Sequence, residues 1–254
     1  MTIKIGRGCI IHPTARLEAK ELVIGDFTKI GENVRIHGAE VEIGKDAWIA
    51  PDVLIGGGRA EMGSLKTGDF LHFGMRTVVN IADKVEIGDE VGIGIESKLY
   101  THGAYLSEYD GFPYGVGPIT IGNNVWIPNA MILPNVHIGS NVVIGAMSLV
   151  NKNIASGCMA AGIPAKVLRH NRFPKPISEE DKTQVLLRIA YEATDIPLRV
   201  SDGMIKVGRT LFMPDTRKIE GLANKATERV KDLFRRHGIR FKYYNDGEMY
   251  REWD

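Results

Sequence analysis

Among the seven histidines of the chain, His102 stands where the surrounding sequence changes character. It follows Thr101 and opens a stretch, Tyr100 to Pro118, that is rich in Gly, Tyr and Pro. A neutral imidazole, with a free pKa of about 6.5, is well suited to take a proton from an attacking hydroxyl near neutral pH. Beyond it lie Tyr105, Glu108, Tyr109, Asp110, Phe112 and Tyr114. Rings suit the C–H face of a sugar and carboxylates suit its hydroxyls, and Glu108 or Asp110 is also placed to orient the imidazole. His12 and His37 read as corner residues, His137 as outward-facing, and His170 and His237 as linker and helix-end residues. His72 belongs to a distinct segment, Phe70 to Asn80. No two histidines are five residues apart, and Cys9 and Cys158 have no other ligand type at regular spacing, so a zinc centre is not supported and no metal is expected.

The elements that must position these residues announce themselves as a repeat. Branched apolar residues recur every six positions at Ile24, Ile30, Ile36, then Ile43, Ile49, Ile55. The beat resumes at Ile87, Ile93, Leu99, then Ile121, Ile127, Leu133, then Ile138, Ile144, Val150. Glycine commonly follows the beat, as in Ile24-Gly25, Ile43-Gly44 and Ile87-Gly88, with Asn or Asp close behind. A period of six fits neither the 3.6 of an α-helix nor the 2 of a simple strand. It fits short strands joined by tight corners, three to a triangular coil, with the branched residues stacked inside. Gly, Asn and Asp suit corners that need positive φ or local hydrogen bonds. A β-sandwich would space its strands irregularly at about 8–12 residues. The beat is expected to break over residues 56–86 and 100–118, and the early arrival of Ile138 requires one short corner.

The net charge is +1 and the chain lacks a basic footprint for nucleic acid. No apolar run reaches the roughly 18 residues of a membrane span, and Met1-Thr2-Ile3-Lys4 does not open a signal peptide. The reading is a cytoplasmic protein with two reduced thiols. After Arg169-His170 the beat stops, so residues 1–170 form the repeat domain and 171–254 a small α+β appendage. Ser178 is predicted to cap a helix over 179–194, Met204 to Met213 to form one or two strands, residues 216–237 an amphipathic helix, and Ile239 to Tyr244 a final strand.

At Ile121-Gly122-Asn123-Asn124-Val125-Trp126-Ile127 and Ala161-Gly162-Ile163-Pro164-Ala165-Lys166-Val167 the chain resembles the hexapeptide-repeat acyltransferases of the maltose, galactoside and nodulation O-acetyltransferase type. The motif Thr101-His102-Gly103, a loop, then Gly117-Pro118-Ile119-Thr120-Ile121-Gly122 is the most specific part. The resemblance implies a left-handed parallel β-helix, a homotrimer with sites between subunits, acetyl-coenzyme A as co-substrate, and transfer to a sugar hydroxyl with His102 as base. It implies coenzyme contacts at Trp126, Ala146, Asn151, Lys152, Lys166 and Arg169, the last three meeting phosphates, as a polyanionic ligand on a neutral protein requires. It aligns Phe70–Asn80 with acceptor-pocket strands, where Asn80 matches the family's preference and Arg76 and His72 depart from it. That departure suggests an acceptor other than maltose or a galactoside. Three alternatives share the solenoid: an N-acyltransferase of an amino sugar or nucleotide-linked amino sugar, whose amine can attack once neutral without a base; a γ-type carbonic anhydrase, whose histidine spacing is missing; and a non-catalytic scaffold.

Overall fold

A computed structural model describes residues 1–253. The chain divides into two compact units, Met1–Pro174 and a second beginning at Lys175. Arg172 and Phe173 belong to the first because both backbone N–H groups donate to the Gly157 carbonyl.

The first unit is a parallel β-helix of three faces. The first face stacks seven strands from Thr2–Ile5 to Val136–Ile138, and the third stacks seven from Arg16–Leu17 to Ser148–Val150. The second face has nine, beginning at Ile10–Ile11. It is closed by Met159–Gly162 and Ala165–Arg169, which pair antiparallel to each other. All other pairings on the three faces are parallel. The six-residue beat supplies the core: Ile24 lies on Ile43, Ile30 on Ile49 and Ile36 on Ile55, every one buried. A one-residue slip would turn these side chains outward, so the burial fixes the register.

Three details differ from the sequence reading. The coil does not break over residues 56–86; only residues 57–63 leave it. Ser64–Thr67, His72–Phe73 and Val78–Asn80 take ordinary places on the three faces, with Phe73 stacked between Ile49 and Ile93. Thr67 and Phe73 occupy stack positions that elsewhere hold a branched aliphatic, so the beat does not show in the sequence there. Second, Ile132 points inward in place of Leu133, pairing with Leu99 and Val150, so the short corner lies between Ile127 and Ile132. Third, the glycine after the beat, Gly56 apart, is not the positive-φ residue. That role falls to residues further on, such as Asn33, Asp46 and Glu90. Gly44 is required by close approach: a Cβ there would lie 2.2 Å from the Gly68 carbonyl oxygen of the next coil.

The first-to-second corner carries a ladder of side-chain acceptors. Asp69 accepts from Lys45 N–H, Asp89 from Asp69, Asn123 from Asp89, Ser140 from Asn123 and Ser156 from Ser140, all within 2.8–3.0 Å. Each rung satisfies a backbone donor that the corner would otherwise leave unpaired. The two long excursions, residues 57–63 and 101–118, both leave from the third-to-first corner.

In the second unit, Ser178 caps the helix Glu179–Glu192 by accepting from Asp181 N–H at 3.1 Å. Four antiparallel strands follow in sequential order, Leu198–Ser201, Met204–Val207, Thr210–Met213 and Lys218–Glu220. The helix expected over 216–237 runs only Lys225–Arg236. Ile219 is instead buried in a strand opposite Phe212, because Gly221, at φ +122°, breaks any continuous helix. The last strands form a hairpin, Tyr243–Asn245 with Tyr250–Glu252. Phe212, Phe234, Phe241 and Tyr250 build the core with ring centroids 5.2–6.1 Å apart.

Candidate active site

His102 sits at the root of the 101–118 excursion. The strand His102–Gly103 pairs antiparallel with Gly115–Val116, so the loop returns beside its own start. The residue before it is the anchor. Thr101 is fully buried and its hydroxyl lies 2.9 Å from both the backbone oxygen and Oδ1 of Asn80. The same hydroxyl accepts from Asp83 N–H at 3.1 Å, and Gly117 N–H donates to the Thr101 carbonyl. This network fixes the backbone directly before His102, whose imidazole is half-exposed at the corner with its ring edge-on to Tyr114 at 6.1 Å.

Asn80 is buried directly beneath, in register with Tyr100. Its Oδ1 is engaged by Thr101 and by Ala82 N–H at 3.4 Å, whereas its Nδ2 makes no hydrogen bond among the described residues. That nitrogen lies against Gly57, where a Cβ would fall 2.6 Å away. On the other side His37 accepts from Gly57 N–H through Nε2 at 2.9 Å. Gly56 and Gly57 adopt φ +148° and +103°, open only to glycine at low cost. So the 57–63 excursion is gripped between His37 and Asn80, and it brings Arg59 to the Tyr114 hydroxyl. Arg59 is the residue at this corner that the sequence does not reveal; His37 reads only as a corner residue and Tyr114 only as a loop ring suited to a sugar face.

The other two acceptor candidates lie elsewhere. Arg76 occupies the second-to-third corner, exposed, with Nε and Nη2 on Glu96 Oε1 at 3.0 and 2.8 Å. His72 is on the second face, its ring 4.9 Å from Trp48. Trp126 is two strands further along that face, half-exposed, over Gly92. In a triangular section the second face lies opposite the third-to-first corner, so a single chain does not gather Trp126, His72 and His102.

The remaining coenzyme candidates cluster at the late end of the coil. Ala146 is exposed at the second-to-third corner and Asn151 and Lys152 at the third-to-first corner, while Lys166 and Arg169 lie on the closing strand Ala165–Arg169. Lys152, Lys166 and Arg169 are exposed and have no carboxylate within ion-pair distance among the described residues. A groove of about 300 Å³ on the third face adjoins Ala146, lined by Lys98, Asn129, Met131, Met147 and Ile163. Met147 and Ile163 are 70% and 73% exposed, which leaves this apolar surface open to a ligand or another chain. Among the described residues no group of three or more His, Cys, Asp or Glu is placed to hold a metal ion, and no helix is long and apolar enough to cross a membrane.

Comparison with known proteins follows the same outline. The family model for bacterial transferase hexapeptide (six repeats) matches residues 118–152. Galactoside O-acetyltransferase of Escherichia coli (strain K12) is 34% identical over 181 residues, spanning 67% of this chain and 74% of its own length. A solved galactoside acetyltransferase in complex with coenzyme A is 33% identical with a TM-score of 0.40, covering 53% of this chain and 66% of that one. A hexapeptide-repeat acetyltransferase of Vibrio cholerae O1 biovar eltor, complexed with acetyl coenzyme A, is 23% identical with a TM-score of 0.42, covering 59% of this chain and 70% of that one.

Proposed function

The chain belongs to the hexapeptide-repeat acetyltransferase family, and from that premise we propose that it is an O-acetyltransferase moving the acetyl group of acetyl-coenzyme A to a sugar hydroxyl. His102 is the general base. As the acceptor oxygen attacks the thioester carbonyl carbon, an imidazole nitrogen takes the hydroxyl proton. The tetrahedral oxyanion then collapses, the C–S bond breaks, and the imidazolium returns the proton to the departing thiolate. Asn80 contacts the acceptor through the Nδ2 group that its own network leaves over. Lys152, Lys166 and Arg169 meet the coenzyme phosphates, and Ala146 and Asn151 meet its pantetheine arm.

The observation that carries this reading is the anchoring of His102. A buried threonine hydroxyl and the Asn80 carboxamide fix the backbone directly before His102, which stands at the mouth of the 101–118 excursion, half-open to a ligand. Productive transfer needs such a fixed base, because geometry supplies much of the rate. The working unit of this reading is a cytoplasmic homotrimer. The second face of one copy, bearing Trp126 and His72 and the nearby Arg76, meets the His102 corner of the next.

Thiol release from acetyl-coenzyme A, screened against sugars, amino sugars and nucleotide sugars, tests the proposal. Sugar-dependent release is expected, and His102→Ala should lower kcat by about 100-fold or more. Activity on amines alone would favour N-acylation, and full transfer by the variant at neutral pH would remove His102 as base.

A further inference from the structure

Arg59 is linked to the proposed base through one residue, Tyr114. Its Nη1 donates to the Tyr114 hydroxyl, and the Tyr114 ring meets the His102 ring edge-on at 6.1 Å. Its Nη2 lies 3.7 Å from the Met62 sulfur, a weak acceptor. Both partners are neutral, and no carboxylate lies within ion-pair distance of Arg59 among the described residues. The guanidinium is exposed and keeps further N–H donors unused.

The position is built. Arg59 itself adopts φ +64°, which costs a side-chain-bearing residue about 1–2 kcal/mol and here occurs outside the repeating corners. Of the three glycines before it, Gly56 and Gly57 are clamped by His37 and Asn80 as described above. Arg76 shows the contrast: it too has positive φ, but it belongs to an ordinary corner and its fork is occupied by Glu96. A fork held by neutral groups beside the base suits an oxyanion, since guanidinium matches carboxylate and phosphate in planar geometry.

We infer that Arg59, steered by Tyr114, binds an anionic group on the acceptor, so that the substrate is a sugar carrying a carboxylate or a phosphate. The inference rests on the acetyl-transfer reading for its reaction, and on the Arg59–Tyr114–His102 geometry for its specificity.

Four acceptors test it: methyl glucoside, methyl glucuronide, the methyl ester of that glucuronide, and methyl glucoside 6-phosphate. With the wild-type chain, kcat/KM for at least one charged acceptor should exceed the neutral ones by about 10–100-fold, the range of a charge-assisted pair, mainly through KM. Arg59→Gln should collapse that charged-over-neutral ratio toward unity, Arg59→Lys should retain part of it, and Tyr114→Phe should lower it. Preference for the glucuronide assigns a uronic acid, and preference for the phosphate assigns a sugar phosphate. A ratio near unity in the wild type, or one that Arg59→Gln leaves intact, overturns the inference. Saturation-transfer NMR of the same four sugars on the coenzyme A-loaded protein decides the matter independently of turnover. If no sugar is acetylated, the acetyl-transfer reading fails, yet charge-selective binding lost in Arg59→Gln still upholds the Arg59 site, and absence of that binding removes it.

Discussion

Replacing Thr101 by valine keeps the shape of a fully buried side chain and deletes one hydroxyl. That hydroxyl serves Asn80 as a donor at 2.9 Å and Asp83 N–H as an acceptor at 3.1 Å. Each buried polar group left unpaired costs about 1–3 kcal/mol, and the added methyl recovers about 0.8 kcal/mol. A net loss of about 1–5 kcal/mol follows. In a unit of the size of Met1–Pro174, each kcal/mol moves Tm by about 2–4 °C, so a fall of about 2–20 °C is expected. Thermal unfolding followed by circular dichroism measures it. The activity should fall further than the stability, because the lost anchor adjoins the proposed base and a displacement of about 1 Å can cost about 100-fold. Initial rates of thiol release, taken well below the transition, separate the two effects. Thr101→Ser keeps the hydroxyl and should restore most of the rate. If Thr101→Val keeps kcat within about 2-fold of wild type while His102→Ala is inactive, the threonine does not position the base and the reasoning is wrong.

Two other outcomes are expected. Changing Lys152, Lys166 and Arg169 together to alanine should raise KM for acetyl-coenzyme A by about 10-fold or more at low ionic strength, with a smaller difference at high salt, because screening weakens exposed charges; initial-rate kinetics across a salt series checks both. In the second unit, donation from Met249 N–H, then Arg251 and Glu248 N–H, holds the Asp246 carboxyl well below the usual aspartate range. Its contribution is present above the unfolded pKa and is lost as pH falls through the lower folded value, so Asp246→Asn should destabilise this unit near neutrality and converge with wild type in strong acid; unfolding curves across pH test that.

The inward stack was legible because a six-residue period leaves little choice for the fold, and Ile24, Ile30 and Ile36 all point inside as read. It does not show at Phe73 and Thr67, where the stack accepts an aromatic or a hydroxyl of suitable volume in place of a branched aliphatic. It slipped at Ile132-Leu133, since two adjacent apolar residues do not reveal which one faces the core. Gly221 could have warned against a helix over 216–237, but Ile219 and Leu222 also fit helical spacing. At the site, the Thr101-His102-Gly103 motif marked the corner from sequence. Arg59 left no comparable mark, because its place depends on His37 and Asn80 gripping a loop from neighbouring coils. The separation of Trp126 from His102 was likewise invisible, being a property of the triangular cross-section.

Both excursions leave from one edge of the prism, and the backbone ladder along the first-to-second edge leaves no room for another. Length changes are therefore channelled. A residue inserted in the laddered edge would break donors in the coils above and below, whereas one inserted in 57–63 or 103–117 would disturb only its own loop. The scaffold thus separates the part that must keep its count from the part that can change it, and substrate range can diversify along a single edge while the stack beneath stays constant.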